Sequence, residues 1–297
     1  MSPATEIPYR HALIIANPIA GTGRARARAQ ELRDALVSVD LRVDLFFTSQ
    51  RGDAPQAVRD RHADTDVVLV VGGDGTVAEV LSALPKDLPI ALFPMGTANV
   101  MGVDLGIPRK VSGTLAMLAS GRSTGLDIAL VNGRISFVVV GLGPDGYAVR
   151  VVDEHREGPI NKLHYVRGIW HTLLKWRPTA IRVELDGKAL PGSFAWVLVS
   201  NVIGYGGLLR LSRERRLDDG LWEVYLFPRG GRLALLSYAL RGILLGLPGG
   251  DCRMQTAGHV RLSTEEPAPM EIDGDYAGQV SEVTIEVQPD SFLLLLP

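Results

Sequence analysis

The sequence predicts a two-domain protein: an N-terminal α/β domain on a parallel sheet over residues 1–125, then a β-rich domain, an antiparallel sandwich, over 126–290. Three observations carry this. Strand and helix signals alternate over the first ~125 residues, the pattern of a parallel sheet covered by helices. From about Asp127 the rhythm becomes strand–turn–strand, with Asp186-Gly187, Asp219-Gly220 and Asp273-Gly274 as turn pairs. Between residues 67 and 79 an unbroken apolar run passes through closely spaced glycines directly into a helical pattern.

The elements of the first domain follow in order. Ala12–Ala16 is a strand, followed by the turn Asn17-Pro18-Ile19-Ala20-Gly21-Thr22-Gly23. Alanine-rich Arg24–Val37 places Leu32, Leu36 and Val37 at the core spacing of a helix. Leu41–Phe47 alternates as a strand ending at Thr48, and Ala54–His62 is helical. Val67–Val71 is a buried strand rich in β-branched residues. Gly72, Gly73 and Gly75 then permit a sharp turn and close approach of the backbone to a ligand. Thr76 and Glu79 have capping-box spacing, so a helix is expected at once. Pro89–Pro94 is another strand, leading into Met95-Gly96-Thr97-Ala98-Asn99. Ligands of such sheets lie beyond the carboxyl ends of the strands, where Asn17–Gly23, Thr48, Gly72–Thr76 and Gly96–Asn99 all fall.

A strand, a glycine turn and an open helix N-terminus together form a phosphate site. Asp74 is its odd member: a carboxylate beside a phosphate is repulsive unless a cation lies between them, so the motif implies a nucleotide with Mg²⁺. The first turn offers the amides of Gly21–Gly23 to a phosphate, but without Gly-Lys-Ser/Thr it does not support Walker-type chemistry. Arg24 and Arg28 read as a solvated basic face. Gly121-Arg122-Ser123-Thr124-Gly125 matches the nucleophile elbow of hydrolases in letters only, because helical Thr114–Ala119 precedes it instead of a strand.

In the second domain Ile135–Val140, Ala180–Leu185, Trp196–Asn201, Trp222–Phe227, His259–Ser263, Met270–Ile272 and Val283–Val287 read as strands. Asn161–Lys175 and Arg232–Leu247 read as helical insertions. The wholly apolar Phe292–Leu296 reads as buried, and a return of residues 291–297 to the first domain is open. Two acidic turns have two readings each. Arg216–Leu221 is a cation loop or an Asp-capped turn, and Asp273-Gly274-Asp275 is the seat of a general base or a hairpin turn.

Bulk composition narrows the function classes. The 297 residues are 46% apolar and 22% charged with a net charge of −2, which argues against a nucleic-acid binder that neutralises phosphates. The single Cys252 excludes an internal disulfide and suits a reducing cytoplasm; the six histidines show no zinc-ligand spacing. The first residues lack a basic region and a small-residue cleavage site, so their apolar run reads as a first strand. Leu233–Leu247, interrupted by Arg241, is too short to span a bilayer and reads as a half-buried helix, with membrane-surface contact as the alternative.

Asn17-Pro18 with Gly21, Gly72-Gly73-Asp74-Gly75-Thr76 with Glu79, Gly96-Thr97-Ala98-Asn99, Leu105-Gly106-Ile107-Pro108, Asn161-Lys162-Leu163, Tyr205-Gly206-Gly207, Leu217-Asp218-Asp219-Gly220-Leu221 and Asp273-Gly274-Asp275 follow one another as they do in a known family. The chain resembles the bacterial lipid kinases of the diacylglycerol kinase catalytic-domain superfamily, related to sphingosine and ceramide kinases. Gly-Gly-Asp-Gly-Thr alone is shared with NAD kinases; the later motifs favour the lipid kinases. The resemblance implies an NAD kinase/diacylglycerol kinase-like α/β domain, a β-rich domain, and ATP and a lipid alcohol meeting in the cleft. It implies ATP contacts by Asn17, Pro18, Ile19, Ala20, Gly21, Thr48, Gly72, Gly73, Asp74, Gly75, Thr76, Glu79, Thr97 and the Asn99 loop. It further implies a structural Mg²⁺ held by Asp219 and the backbone oxygens of Arg216 and Leu221, with Asp74 acting through Mg²⁺ on the transferring group. Asp275 stands where the family has Glu as the base for the lipid hydroxyl, with Asp273 as substitute. Val100 replaces a usual Asp, Leu142-Gly143-Pro144-Asp145-Gly146 replaces Gly-Phe-Asp-Ala, and Ser212 replaces a frequent Pro. The expected protein is a cytoplasmic kinase, reversibly membrane-associated, acting on a diacylglycerol-like or sphingoid alcohol; a homodimer is open. The alternatives are a kinase of NAD or a small alcohol, and a non-catalytic nucleotide- or lipid-binding regulator.

Overall fold

The computed structural model describes residues 7–21, 23–154, 162–206, 209–212 and 216–297. The chain forms two compact units, Met1–Leu126 with Asp290–Pro297, and Asp127–Pro289.

The first unit contains β1 (His11–Ala16), α1 (Ala25–Val37), β2 (Arg42–Phe47), α2 (Asp53–Arg61), β3 (Val67–Gly72), α3 (Asp74–Leu81), β4 (Ile90–Pro94), α4 (Val100–Asp104) and α5 (Val111–Ser120). Its strands are parallel in the order β2-β1-β3-β4, with Ile14 level with both Leu45 and Leu69. Every residue of β1, β3 and β4 is buried, which explains why these strands read as continuous apolar runs rather than alternations. Leu294 pairs in parallel with Ile90 at the edge of β4, so the apolar tail supplies a further strand to this sheet. Helix α1 turns Ala25, Ala29, Leu32 and Leu36 inward. Val37, expected in the core, is 53% exposed, because one further residue rotates the chain ~100° away from the 25-29-32-36 stripe. The connections leave β1 in one direction toward β2, while β3 and β4 lie on its other side. The gap between the ends of β1 and β3 is therefore the topological switch point, where ligands of open α/β sheets bind.

The second unit is antiparallel. It comprises β5 (Ser123–Val131, begun in the first unit), β6 (Arg134–Ser136), β7 (Val139–Leu142), α6 (Pro144–Glu154), α7 (Lys162–Lys175), β8 (Ile181–Leu185), β9 (Lys188–Ala189), β10 (Trp196–Ser200), β11 (Gly204–Tyr205) and β12 (Leu209–Arg210). There follow β13 (Trp222–Phe227), α8 (Arg232–Leu244), β14 (Arg253–Ala257), β15 (His259–Ile272) and β16 (Asp275–Leu295). The sheet order is β14-β13-β10-β7-β15-β16; β15 pairs with β8 through Val260–Thr264 and with β7 through Met270–Ile272. The core gathers Trp222, Val197, Val199, Val224, Val260 and Ile285, and Trp196 stacks on Phe227 at 4.0 Å.

Two departures from expectation, and one helix that no expectation covered, have physical causes. The two short strands 259–263 and 270–272 are one strand of 14 residues, because a register shift between Ser263 and Ala268 absorbs the polar stretch. Helix α6 starts at Pro144, whose missing N–H is harmless in a first turn. Helix α8 ends at Leu244 instead of Leu247, followed by Gly246 at φ 90°. Asn161, the expected start of α7, lies outside the described residues.

Candidate active site

The loops at the carboxyl ends of the first unit's strands are held together backbone to backbone. Gly72 O accepts from Met95 N at 2.7 Å and Gly96 N at 3.2 Å, which locks the loop after β3 to the loop after β4. A Cβ on Gly96 would lie 2.5 Å from Gly73 Cα, so the two glycines permit a contact that no side chain allows. The loop after β1 joins them: Gly21, at φ 59°, sits where a Cβ would be 2.9 Å from the Met95 side chain. Asn17 N donates to Val71 O at 3.0 Å, and Asn17 Oδ1 accepts from Ile19 N at 3.2 Å. Thr48 N donates to Ala16 O at 2.9 Å, which sets Thr48 beside the end of β1.

Asn17–Gly21, Thr48, Gly72–Gly75 and exposed Thr97 thus gather on one rim. Three of the expected ligands are engaged within these loops. Thr76 is buried beneath the turn, its side chain against Gly72. Asn99 is also buried: its Oδ1 accepts from Gly96 N and its Nδ2 donates to Gly96 O, both at 2.6 Å, so its amide shapes the loop instead of reaching outward. Glu79 accepts from Gly52 N at 3.3 Å and faces Arg51, bracing the loop after β2. The capping box expected from Thr76 and Glu79 is absent. The helix begins three residues earlier, with Gly73 as its N-cap and no side-chain cap.

Asp74 opens α3 on this rim. Its Oδ2 accepts from Val100 N at 3.0 Å, so it caps the start of α4 from outside. Burial pushes its carboxyl above the usual carboxylate range, and backbone amides of Val100, Met101 and Asn99 pull the other way. Among the described residues no lysine or arginine is paired with it. A hard divalent cation suits a desolvated carboxylate of this kind; Mg²⁺ commonly uses one carboxylate together with nucleotide phosphates. No cluster of three metal-ligating side chains occurs among the described residues, so such an ion would draw its other ligands from phosphate and water.

The second unit distributes its acids by environment. Asp273, at φ 52°, accepts from Ser136 Oγ at 2.7 Å, from Val138 N and Val139 N at 3.0 Å, and from Phe137 N at 3.2 Å. Burial pushes it up to about 6, opposed by these donors. With both oxygens engaged, Asp273 anchors the turn, an arrangement that favours a structural role over the expected one of substitute base. Asp275 is exposed, with Arg134 Nη2 at 3.5 Å.

The sequence reading passed over a buried acid cluster. Glu271 is fully buried, and its Oε1 accepts from Tyr205 Oη at 3.0 Å while Oε2 accepts from Gly274 N at 2.8 Å. Asp145 Oδ2 lies 3.4 Å from the same hydroxyl, and its Oδ1 accepts from Gly146 N at 2.8 Å. Burial and the neighbouring Asp145 drive Glu271 well above its ordinary value; burial raises Asp145 to about 6. The available signal was a glutamate within the otherwise apolar stretch Ala268–Ile272, two residues before the Asp-Gly turn.

In the 216–221 turn Asp219 Oδ1 accepts from Leu221 N at 3.1 Å, and Asp127 Oδ2 accepts from Gly220 N at 2.7 Å. Arg216 lies 3.7 Å from Asp218, both on the surface. Buried Asp127 is a second residue the sequence reading did not single out. A cation here would rest on the outer oxygen of Asp219 and main-chain oxygens.

Comparison with known proteins identifies the two domains. Residues 11–131 match the diacylglycerol kinase catalytic domain, and residues 138–296 match the YegS C-terminal NAD kinase beta sandwich-like domain. The chain is 26% identical over 284 residues to a diacylglycerol kinase of Staphylococcus carnosus, covering 91% of this chain and 90% of that one. It is 27% identical over 287 residues to one of Staphylococcus aureus, covering 91% and 88%. A crystal structure of a diacylglycerol kinase from Bacillus anthracis superposes with a TM-score of 0.75 at 21% identity, covering 98% of each chain. An NAD kinase from Archaeoglobus fulgidus in complex with ATP shares the fold at a TM-score of 0.53 and 14% identity, covering 96% of this chain and 93% of that one. With the two domains matched in tandem, the chain belongs to the diacylglycerol kinase catalytic-domain family and is a lipid kinase.

Proposed function

We propose that the protein transfers the γ-phosphoryl group of ATP to a hydroxyl of a lipid alcohol, diacylglycerol-like or sphingoid. The observation that carries this is the rim at the switch point, where three glycine-containing loops interlock around half-buried Asp74. Phosphoryl transfer asks little of a protein beyond positioning and charge neutralisation, and a rim of backbone amides supplies both. The lipid oxygen bonds to the γ-phosphorus as the bond to the β–γ bridging oxygen breaks, and ADP leaves. The hydroxyl proton passes to Asp275, the accessible carboxylate of its turn. Gly21 and Gly72–Gly75 position the phosphates; Asn99, Glu79 and Thr76 hold those loops in shape. Bound at Asp74, Mg²⁺ would offset the phosphate charge; a second Mg²⁺ at Asp219 with Arg216 and Leu221 would be structural.

Incubation with labelled ATP, Mg²⁺ and a mixed lipid extract tests the reading. A labelled phospholipid is expected from the native chain, with at least a ~100-fold loss in Asp74→Asn. Absence of labelled lipid, with Asp74→Asn indistinguishable from native, refutes it. NAD offered as acceptor beside diacylglycerol separates this activity from that of the NAD kinase sharing the fold.

A further inference from the structure

Helix α8 is apolar on two faces. Its inner face, Ala234, Leu235, Tyr238 and Gly242, packs on the second unit: Tyr238 meets Phe227 edge-on at 4.9 Å, and a Cβ on Gly242 would lie 2.8 Å from Leu209. The outer face should be polar on a water-facing helix. Instead Leu233 is 84% exposed, Leu240 52% and Leu244 71%, and Leu245 beyond the helix end is 75% exposed. Helix α7 touches α8, and Arg232 Nη2 donates to Leu174 O at 2.6 Å. It adds exposed Trp170 and Leu174.

The charge along these two segments has one sign. Every charged residue in 162–180 and in 228–250 is a lysine or arginine, in a chain whose net charge is −2. Arg229 is paired with Asp251, just beyond the second segment; Lys175, Arg177 and Arg241 have no ion pair among the described residues. A leucine ridge with a tryptophan, bordered by basic residues, has the composition of a helix lying in a bilayer interface. A second copy of the chain would bring like charges together across a two-fold contact, whereas anionic lipid headgroups complement them. No helix among the described residues is long and apolar enough to cross a membrane.

We propose that the outer face of α8, with Trp170 of α7, docks on an anionic phospholipid bilayer, the leucines entering the acyl boundary and the basic residues meeting the headgroups. The inference rests on the lipid-kinase reading for its purpose, delivery of the enzyme to a membrane-dissolved acceptor, but the binding is measurable without catalysis. Flotation without ATP on vesicles of equimolar phosphatidylglycerol and phosphatidylcholine should recover the native chain, with recovery falling as salt is raised. Vesicles of phosphatidylcholine alone should retain far less. The double variant Leu240→Asp with Leu244→Asp, at exposed positions, should lower partitioning at least ~tenfold with an unchanged thermal melt. Its phosphorylation of detergent-solubilised short-chain diacylglycerol should equal that of the native chain. Native protein that stays off anionic vesicles overturns the docking surface, as does a double variant that floats like native. A native dimer that the double variant converts to monomer, without vesicle binding, gives the face to a second copy and overturns the proposal too. Vesicle binding without any lipid phosphorylation supports the docking surface and sinks the kinase reading alone.

Discussion

Gly75 offers the sharpest test of the proposed phosphate rim, because the fold does not require a glycine there. It is the second residue of α3, exposed, with φ outside the left-handed range, and a Cβ built on it meets nothing within 4 Å. Gly75→Ala therefore removes a flexible residue from a helix without a clash. Helix propensity predicts a gain of about 0.5–1 kcal/mol, less the reduction expected for a first-turn position. For a chain of this size that raises the melting temperature on the order of 1–3 °C. The proposed function assigns the Gly72–Gly75 amides to phosphate, so a methyl group added at residue 75 would intrude on the bound phosphate and ATP affinity should fall at least ~tenfold, about 1.4 kcal/mol. Differential scanning calorimetry and titration calorimetry with ATP and Mg²⁺ measure the two quantities on the same sample. Opposite movement of stability and affinity is the expected signature. Unchanged ATP affinity in the stabilised variant would falsify the placement of phosphate over Gly75.

Three further outcomes follow. Gly96→Ala, whose Cβ would lie 2.5 Å from Gly73 Cα, should destabilise the first unit by about 1–3 kcal/mol and weaken ATP binding together, as read by chemical denaturation and nucleotide titration. Asp273→Ala strips four donors of their acceptor and should cost about 3 kcal/mol or more; a variant with native stability but a collapsed kcat would instead return Asp273 to the role of base. Glu271 and Asp145 bind protons more tightly folded than unfolded, so their stabilising contribution is present at low pH and lost as pH rises through the folded values. For Asp145, which burial raises from 3.8 to about 6, the loss falls across that window. Glu271→Gln removes the like charge and should flatten the fall in unfolding free energy as pH rises above the ordinary carboxylate range; an unaltered slope refutes the coupling.

By itself the sequence determined the fold class. Buried parallel strands need long apolar runs, and β1, β3 and β4 display them; Asp-Gly pairs mark the turns of the antiparallel unit. These signals are local, set by side-chain period and backbone conformation within a few residues. Phosphate-turn chemistry was legible for the same reason, since Gly72–Gly75 follow a strand and open a helix. Tertiary structure decided what each acid does. Asp273 and Asp275 look equivalent in sequence, yet one is surrounded by four donors from Ser136–Val139 and the other faces solvent and Arg134. Glu271, Asp145 and Tyr205, up to 126 residues apart, meet only because β15, the first turn of α6 and β11 come together. Likewise, that α8 keeps leucines on its outer face could not be read from its even apolarity, because burial is a property of what packs against a helix. Periodicity and turn chemistry act along the chain; desolvation, hydrogen-bond saturation and exposure act across it, and the charge state and role of a carboxylate depend on the latter.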